Sequence, residues 1–164
     1  MQDIRITDDF LNEPLHNEVL EYCVNAAYSL GEGDRGDVPP VGMTHDIPKE
    51  HRIWNLFKDN TMKLLPVENN EWEIIRMYIN CFHPSDVPYW HVDSDKDNWT
   101  FLYYPNNTWE LDDGGETHFL IDDGCYALPP LPNRMVMFDA RIKHRATSFR
   151  YKHRFSVAVK VARL

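Results

Sequence analysis

Two stretches in the first 70 residues carry apolar side chains at helical spacing. The first runs from Leu15 to Leu30 after candidate caps around Thr7 to Asp9, and the second runs from Ile53 to Leu65. Both patterns predict amphipathic helices whose apolar faces pack on the outside of a sheet. Between them, residues 31–40 are rich in Gly, Pro and charge. This segment is either an ordinary connection, which is the preferred interpretation, or a lid over a site.

From Glu71 onward the pattern changes to short alternating stretches. Turn clusters at residues 112–115, 122–124 and 129–133 separate them. This rhythm predicts an antiparallel double-sheet barrel. We therefore expect a mainly β (α+β) fold, a double-stranded β-helix of the jelly-roll or cupin-like kind with the N-terminal helices packed outside. One domain would span residues 1–164, with 1–70 as mainly helical support and candidate lid, and 71–164 as the β-barrel core.

The last predicted strand has one apolar and one polar face. Its apolar positions alternate strictly: Phe155, Val157, Val159 and Val161. Arg154 and Ser156 therefore share the other face. An arginine there can donate two parallel hydrogen bonds to a carboxylate, and the serine hydroxyl can complete the contact. The alternative is that this face is solvated, which the presence of Lys160 on it would allow.

A second predicted strand also carries polar groups on one face. Ile75, Met77, Ile79 and Cys81 alternate with Arg76, Tyr78 and Asn80. A polar stripe on a central strand needs partners, and a charged ligand would supply them. A hydrogen-bonded polar network in the barrel mouth is the alternative.

His91 and Asp93 form an H-x-D pair and lie two positions apart in the chain. On an extended chain their side chains point to one face, about 7 Å apart, and can converge on one ion. One H-x-D is about the chance expectation for this composition, so a histidine beside a solvated aspartate is the ordinary alternative. His144, which lies ten residues before Arg154, adds a second histidine and favours a metal site over a chance match. Two imidazoles and one carboxylate leave open positions on a metal, which suits ferrous iron.

These residues fall within a longer series of landmarks in the same order. The landmarks are His91-Val92-Asp93, residues 101–106, Trp109, residues 114–119, His144 and Arg154. From about Glu71 to the C-terminus the chain resembles the 2-oxoglutarate and Fe(II)-dependent oxygenases. It is most similar to their prolyl 4-hydroxylase-like branch, which includes the hypoxia-inducible-factor prolyl hydroxylases.

The resemblance implies a set of site residues. His91, Asp93 and His144 would hold iron, and Arg154, with Tyr104 and Ser156, would bind the far carboxylate of 2-oxoglutarate. The family commonly has a tyrosine nine or ten residues before the first iron ligand, where this chain has Phe82 and Cys81. Tyr78, thirteen residues ahead, would replace it only if the loop at 83–88 absorbs the extra residues.

The resemblance also implies the chemistry. Fe(II) and 2-oxoglutarate would be the cofactors, O2 the co-substrate and ascorbate an optional addition. The reaction would decarboxylate 2-oxoglutarate to succinate and hydroxylate a C–H bond, with peptidyl or free proline as the expected target. Two alternatives stay open: the same cofactor chemistry on another small-molecule or protein substrate, and a cupin-like metal-binding module without catalysis.

Charge and composition restrict the partners. The net charge of −9 over 164 residues disfavours nucleic acid, whose binders carry a basic stripe. Three widely spaced cysteines fit a reducing compartment. Residues 1–5 show no basic region followed by an apolar run, and no stretch of 18 apolar residues exists. We expect a cytoplasmic enzyme without a signal peptide or membrane span, acting on a peptide, protein or small molecule.

Overall fold

The computed structural model describes residues 4–31, 33–65 and 71–164, and most of its regular structure is β-strand. The strands of the described residues are β1 (Ile4–Thr7), β2 (Ser29–Leu30), β3 (Met43–Asp46), β4 (Trp72–Phe82), β5 (Trp99–Tyr104), β6 (Thr117–Ile121), β7 (Gly124–Leu128), β8 (Arg134–Asp139), β9 (Lys143–Ala146) and β10 (Arg154–Arg163).

The strands form two antiparallel sheets. The major sheet has the order β1-β8-β5-β10-β4-β3-β2, and the minor sheet has the order β7-β6-β9. Strands β4, β10 and β5 are the centre of the major sheet and pair over most of their length. The predicted double-sheet architecture is therefore confirmed.

Helices α1 (Glu13–Asn25) and α2 (Arg52–Thr61) precede β4, and a short 3-10 turn, Met62–Leu64, follows α2. The side chain of Asn12 caps α1 by accepting a hydrogen bond from the Leu15 N–H at 3.1 Å. The expected caps around Thr7 to Asp9 are wrong, because Thr7 ends β1 and pairs with β8. The helix also ends earlier than its apolar pattern indicates, since Leu30 lies in β2 and is 83% exposed.

One hydrophobic core lies between the helices and the outer face of the major sheet. It contains Val19 and Cys23 of α1 and Phe57 of α2, together with the alternating residues Phe155, Val157, Val159 and Val161 of β10. The strict alternation along β10 thus marks the face that packs on the helices. Burial of these side chains from water is the main force that holds the helices on the sheet.

A second, smaller core lies on the opposite face of the major sheet. Its members come from both sheets: Leu102, Tyr104, Phe119, Val136, Phe138, Ile142 and Ala158. The polar side chains of β4 and β10 lie on this same inner face. They are therefore enclosed between the sheets.

A β-bulge alters the expected face of β4. Lys160 pairs with Arg76, but the next residue, Val161, pairs with Ile74, so Ile75 has no partner in the register with β10. An extra residue in one strand reverses the parity of the side chains beyond it. The expectation that Ile75 belongs to the apolar face is therefore wrong: Ile75 is 54% exposed, and Ile74 is buried in the core.

The first 70 residues contribute more than helices. Strands β1, β2 and β3 all join the major sheet, although each has at most four residues and no clear alternation. Met1, Gln2 and Asp3 lie outside the described residues, as does Glu32 of the segment at 31–40. Neither helix in the described ranges has the length and apolar content needed to cross a membrane.

Candidate functional site

A cavity of about 380 Å³ lies between the two sheets. Its lining includes the inner faces of β4 and β10, parts of β6 and β9, and residues 91–94 of the connection between β4 and β5. Six of the predicted site residues line this cavity: His91, Asp93, His144, Arg154, Ser156 and Tyr78.

Three potential ligands meet at one end of the cavity. Potential donor atoms of His91, Asp93 and His144 all lie within 4.8 Å of one another. His91 Nε2 is 3.7 Å from Asp93 Oδ1, and His144 Nε2 is 3.6 Å from Asp93 Oδ2. A β-bridge fixes the two histidines, because the backbone N–H of each donates to the carbonyl of the other at 3.0 and 2.9 Å.

The backbone also orients both imidazole rings. His91 Nδ1 is 2.9 Å from the carbonyl oxygen of Tyr89, and His144 Nδ1 is 2.9 Å from that of Ile142. A protonated Nδ1 donates to these carbonyls, which leaves Nε2 of each ring with a free lone pair. Metal-binding histidines are held by hydrogen bonds of this kind. Burial lowers the pKa of His144 to about 4, so its ring is neutral and able to bind a metal at neutral pH.

Asp93 is held between two donors. Thr100 Oγ1 donates to Asp93 Oδ2 at 2.6 Å, and the ammonium of Lys160 forms an ion pair with the same oxygen. Burial opposes ionisation of Asp93, but Lys160 and then His144 outweigh it and hold the pKa of Asp93 well below its ordinary value. The carboxylate is therefore ionised, and the three residues fit a divalent metal ion with open positions.

Lys160 lies in the cavity wall and not on a solvated face of β10. Its side chain is only 15% exposed. Burial alone would lower the pKa of Lys160, but Asp93 and then Tyr78 raise it above its ordinary value, so the side chain is a cation. The alternative of a solvated face on β10 is wrong, because the minor sheet and the segment carrying Asp93 cover it.

Arg154 lies at the other end of the cavity and is 2% exposed. Its Nε donates to the carbonyl of Gly115 at 2.8 Å, and Nη2 donates to Thr117 Oγ1 at 2.9 Å. The hydroxyl of Tyr104 is 2.8 Å from Thr117 Oγ1, and the guanidinium carbon of Arg154 lies 5.2 Å from the Tyr104 ring centre. In the described part of the chain these hydrogen-bond partners are all neutral, and the carboxyl group of Glu116 acts on the guanidinium only through its charge. A buried cation with neutral partners fits an anionic ligand, such as the carboxylate of 2-oxoglutarate.

The Gly114-Gly115 landmark has a structural reason. Both residues have positive φ, +78° and +76°, which side chains strongly disfavour. A Cβ on Gly115 would also lie 2.9 Å from Trp109 Cζ2. The turn thus requires glycine, and it places the Gly115 carbonyl within hydrogen-bond distance of Arg154 Nε.

Ser156 and Tyr78 occupy different parts of the cavity. Ser156 is 2% exposed and lies two residues from Arg154 on the same face of β10. Tyr78 pairs with Ala158 in the register, and its ring lies 5.7 Å from Lys160 Nζ. Phe82 is the residue of β4 that pairs with Arg154. Tyr78 therefore lies toward the metal end of the cavity and not beside the guanidinium of Arg154.

The segment at 33–40 contacts the chain that carries His91. Asp34 Oδ2 accepts a hydrogen bond from the Tyr89 N–H at 2.6 Å, and Asp34 Oδ1 is 3.6 Å from His91 Nδ1. Arg35 Nη1 donates to the Trp90 carbonyl at 2.9 Å. Gly33 and Asp34 line the cavity. This segment therefore forms part of the cavity wall.

Four residues of this site receive no site role from the sequence patterns: Asp34, Thr100, Thr117 and Lys160. Alternation could have placed Thr100 on the inner face of β5, because it has the parity of Tyr104. Nothing local in the sequence indicates the contact of Asp34 with residues 89–91, which are more than 50 positions away.

Comparison with known families is consistent with this geometry. The model of the 2OG-Fe(II) oxygenase superfamily matches residues 77–160, just over half of the chain. The chain belongs to the 2OG-Fe(II) oxygenase superfamily. It is therefore a dioxygenase, and its cofactors are Fe(II) and 2-oxoglutarate with O2 as co-substrate. No curated protein sequence matches the chain significantly.

Solved structures share the fold at low sequence identity. A prolyl hydroxylase from Trichoplax adhaerens, in complex with a hypoxia inducible factor peptide fragment, matches with a TM-score of 0.80 and 21% identity, covering 96% of this chain and 82% of the other. A Pseudomonas putida prolyl-4-hydroxylase has a TM-score of 0.80 and 15% identity, covering 99% and 94%. The viral collagen prolyl hydroxylase of Paramecium bursaria Chlorella virus-1 has a TM-score of 0.70 and 14% identity, covering 98% and 96%. These matches confirm the jelly-roll fold.

Proposed function

We propose that this oxygenase is prolyl 4-hydroxylase-like and hydroxylates a prolyl residue in a peptide or protein. The observation that carries the proposal is one cavity with a His-Asp-His cluster at one end and a buried arginine at the other. The similarity of the fold to three prolyl hydroxylases supports proline as the target. We also take residues 1–164 as one oxygenase domain, with β1 to β3 as part of its sheet.

The proposed roles follow the geometry of the cavity. His91, Asp93 and His144 would hold Fe(II). Arg154, with Tyr104 and Ser156, would bind the far carboxylate of 2-oxoglutarate. Tyr78, because it lies beside Lys160, would face the keto-acid end of the co-substrate.

The chain's own contribution is binding, orientation and exclusion of water. When bound, Fe(II) and 2-oxoglutarate supply the oxidising chemistry, in which O2 is consumed and succinate and CO2 are formed. Arg154 sets the direction of the co-substrate, since its guanidinium is fixed by Gly115 and Thr117. The two sheets enclose the arginine end of the cavity and limit the access of water to it.

The cavity mouth suits a small apolar ring. Ile75 and Val92 line the cavity and are 54% and 48% exposed. Exposed apolar side chains at a cavity entrance favour an apolar group of the substrate. A pyrrolidine ring within a peptide fits this requirement better than free proline, which carries two charges beside the ring.

The test is a product assay with matched substrates. Purified protein would be supplied with Fe(II), 2-oxoglutarate, O2 and ascorbate, and with proline-containing peptides, the same peptides with alanine for proline, or free proline. We expect one added oxygen on the prolyl residue, with succinate formed in equal amount and no product from the alanine peptides. Succinate formation without oxidation of any proline would contradict the prolyl assignment and favour another small-molecule or protein substrate.

Tyrosine variants test the proposed roles within the cavity. Tyr104→Phe removes the hydroxyl near Thr117 and Arg154, and we expect it to weaken 2-oxoglutarate binding about fivefold, the scale of one neutral hydrogen bond. Tyr78→Phe removes a hydroxyl at the metal end, and we expect a smaller loss. Titration of 2-oxoglutarate under anaerobic conditions measures both, and a larger loss in Tyr78→Phe would reverse the two assignments.

A further inference from the structure

Lys160 is a charged residue in the cavity wall to which neither the sequence patterns nor the family resemblance gives a role. Its backbone is fixed on both sides, because Lys160 pairs with Thr100 of β5 and with Arg76 of β4. Its ammonium forms an ion pair with Asp93 Oδ2 and lies 3.4 Å from Thr100 Oγ1. The side chain therefore points at the carboxylate of the metal cluster from the centre of the major sheet.

The two oxygens of Asp93 have different surroundings. Oδ2 receives the ammonium of Lys160 and the hydroxyl of Thr100, and these two donors occupy its lone pairs. Within the described residues, no side-chain hydrogen bond reaches Oδ1, which lies 3.7 Å from His91 Nε2. Oδ2 also lies 3.6 Å from His144 Nε2, but its two donors leave Oδ1 as the oxygen with free lone pairs for a metal ion.

We propose that Lys160 is a positioning residue that restricts Asp93 to one coordinating oxygen and so keeps one more metal position open. A carboxylate can bind a metal through one oxygen or two. With three protein ligand atoms, an octahedral ion keeps three positions, which two oxygens of 2-oxoglutarate and O2 would fill. A second oxygen from Asp93 would remove one of them. This inference rests on the proposed assignment of His91, Asp93 and His144 as the metal ligands.

A merely structural role for Lys160 is the competing explanation. In that case the ammonium neutralises Asp93 only when no metal is bound, and a metal ion displaces it. The number of open metal positions would then not depend on Lys160. The two explanations therefore differ in a property of the metal-loaded protein that can be counted without catalysis.

The experiment counts the water molecules on bound Mn²⁺, without 2-oxoglutarate, by water-proton relaxation. Lys160→Met keeps the length of the stem and removes the charge and the donors. We expect its relaxivity per bound Mn²⁺ to fall by about one third, as one of three waters is lost to the second carboxylate oxygen. Lys160→Arg keeps a cationic donor and should retain the wild-type value.

Thr100→Val is the companion variant, because it removes the other donor to Oδ2 and leaves Lys160 intact. We expect a smaller fall in relaxivity for Thr100→Val, and it provides the test if Lys160→Met does not fold. Unchanged relaxivity in every folded variant would overturn the inference and leave the metal centre in place. Wild-type protein that binds no Mn²⁺ would overturn the metal centre itself and the inference with it.

Discussion

The two ends of the cavity are built in different ways. At the arginine end, Arg154, Tyr104 and Thr117 come from regular strands of both sheets, and each is at most 2% exposed. At the metal end, His91 and Asp93 come from the connection between β4 and β5, and their side chains are 18% and 7% exposed. A single β-bridge joins that connection to His144.

The difference indicates how the two binding events depend on the fold. The arginine end is fixed by continuous backbone ladders, so it is preformed and its binding residues are held by packing. The metal end is assembled from separate parts of the chain, and contacts from Asp34, Thr100 and Lys160 support it. Substitutions of the metal ligands and of the residues that support them should therefore change metal affinity, whereas substitutions at the arginine end should change co-substrate affinity.

The largest effect is expected for Asp93→Ala. This variant removes the one carboxylate of the cluster, and we expect the purified protein to retain no stoichiometric metal, a larger loss than the roughly 10–100-fold cost of removing an outer partner of a metal ligand. Metal analysis of the purified protein gives the stoichiometry, and Asp95→Ala, at an exposed residue nearby, is the control. Stoichiometric iron in Asp93→Ala would show that the cluster is not the metal site.

Arg154→Ala separates the two ends most clearly. It should weaken 2-oxoglutarate binding by about 3 kcal/mol, or roughly 150-fold, the scale for losing one partner of a buried charge pair. Calorimetric titration under anaerobic conditions measures the affinity, and Arg154→Lys tests whether charge alone suffices. Loss of the metal from Arg154→Ala, or an unchanged co-substrate affinity, would contradict the division of roles.

Gly115→Ala should damage the arginine end through the backbone. The positive φ and the close approach to Trp109 are expected to cost about 1–3 kcal/mol of stability. Thermal unfolding measures the loss. Gly36→Ala is the matched control, because a Cβ there meets no atom within 4 Å. Equal melting temperatures for the two variants would show that the turn is not constrained as described.

Asp34→Asn should give the smallest effect and should act on the metal end alone. It weakens the contacts of the segment at 33–40 with Tyr89 and His91, and we expect metal affinity to fall about tenfold, at the lower end for an outer partner of a ligand. Asp123→Asn, at an exposed residue of the β6–β7 turn, is the control. A loss confined to 2-oxoglutarate binding would contradict the assignment of the segment at 33–40 to the metal end of the cavity.

Strand alternation predicts much of the arginine end from sequence. Because side chains alternate along β10, the apolar series from Phe155 to Val161 places Arg154 and Ser156 on one face. The parity of His91 and Asp93 likewise directs both side chains toward one ion, and the structure brings them within reach of His144.

Other features depend on contacts that local patterns do not contain. Alternation gives the face on which Lys160 lies but not what covers that face, so a solvated lysine and a buried ion pair have the same sequence pattern. The bulge at Ile75 follows from register with β10, and the contact of Asp34 with Tyr89 follows from the packing of a distant loop. These features need the three-dimensional fold.

The most direct test of the two-ended cavity is an anaerobic titration of 2-oxoglutarate into the Fe(II)-loaded protein, followed by the metal-to-ligand charge-transfer absorption. We expect a saturable band in the wild type, the same band at much higher 2-oxoglutarate concentration in Arg154→Ala, and no band in Asp93→Ala. Fe(II) bound in stoichiometric amount without any band on addition of 2-oxoglutarate would contradict this expectation.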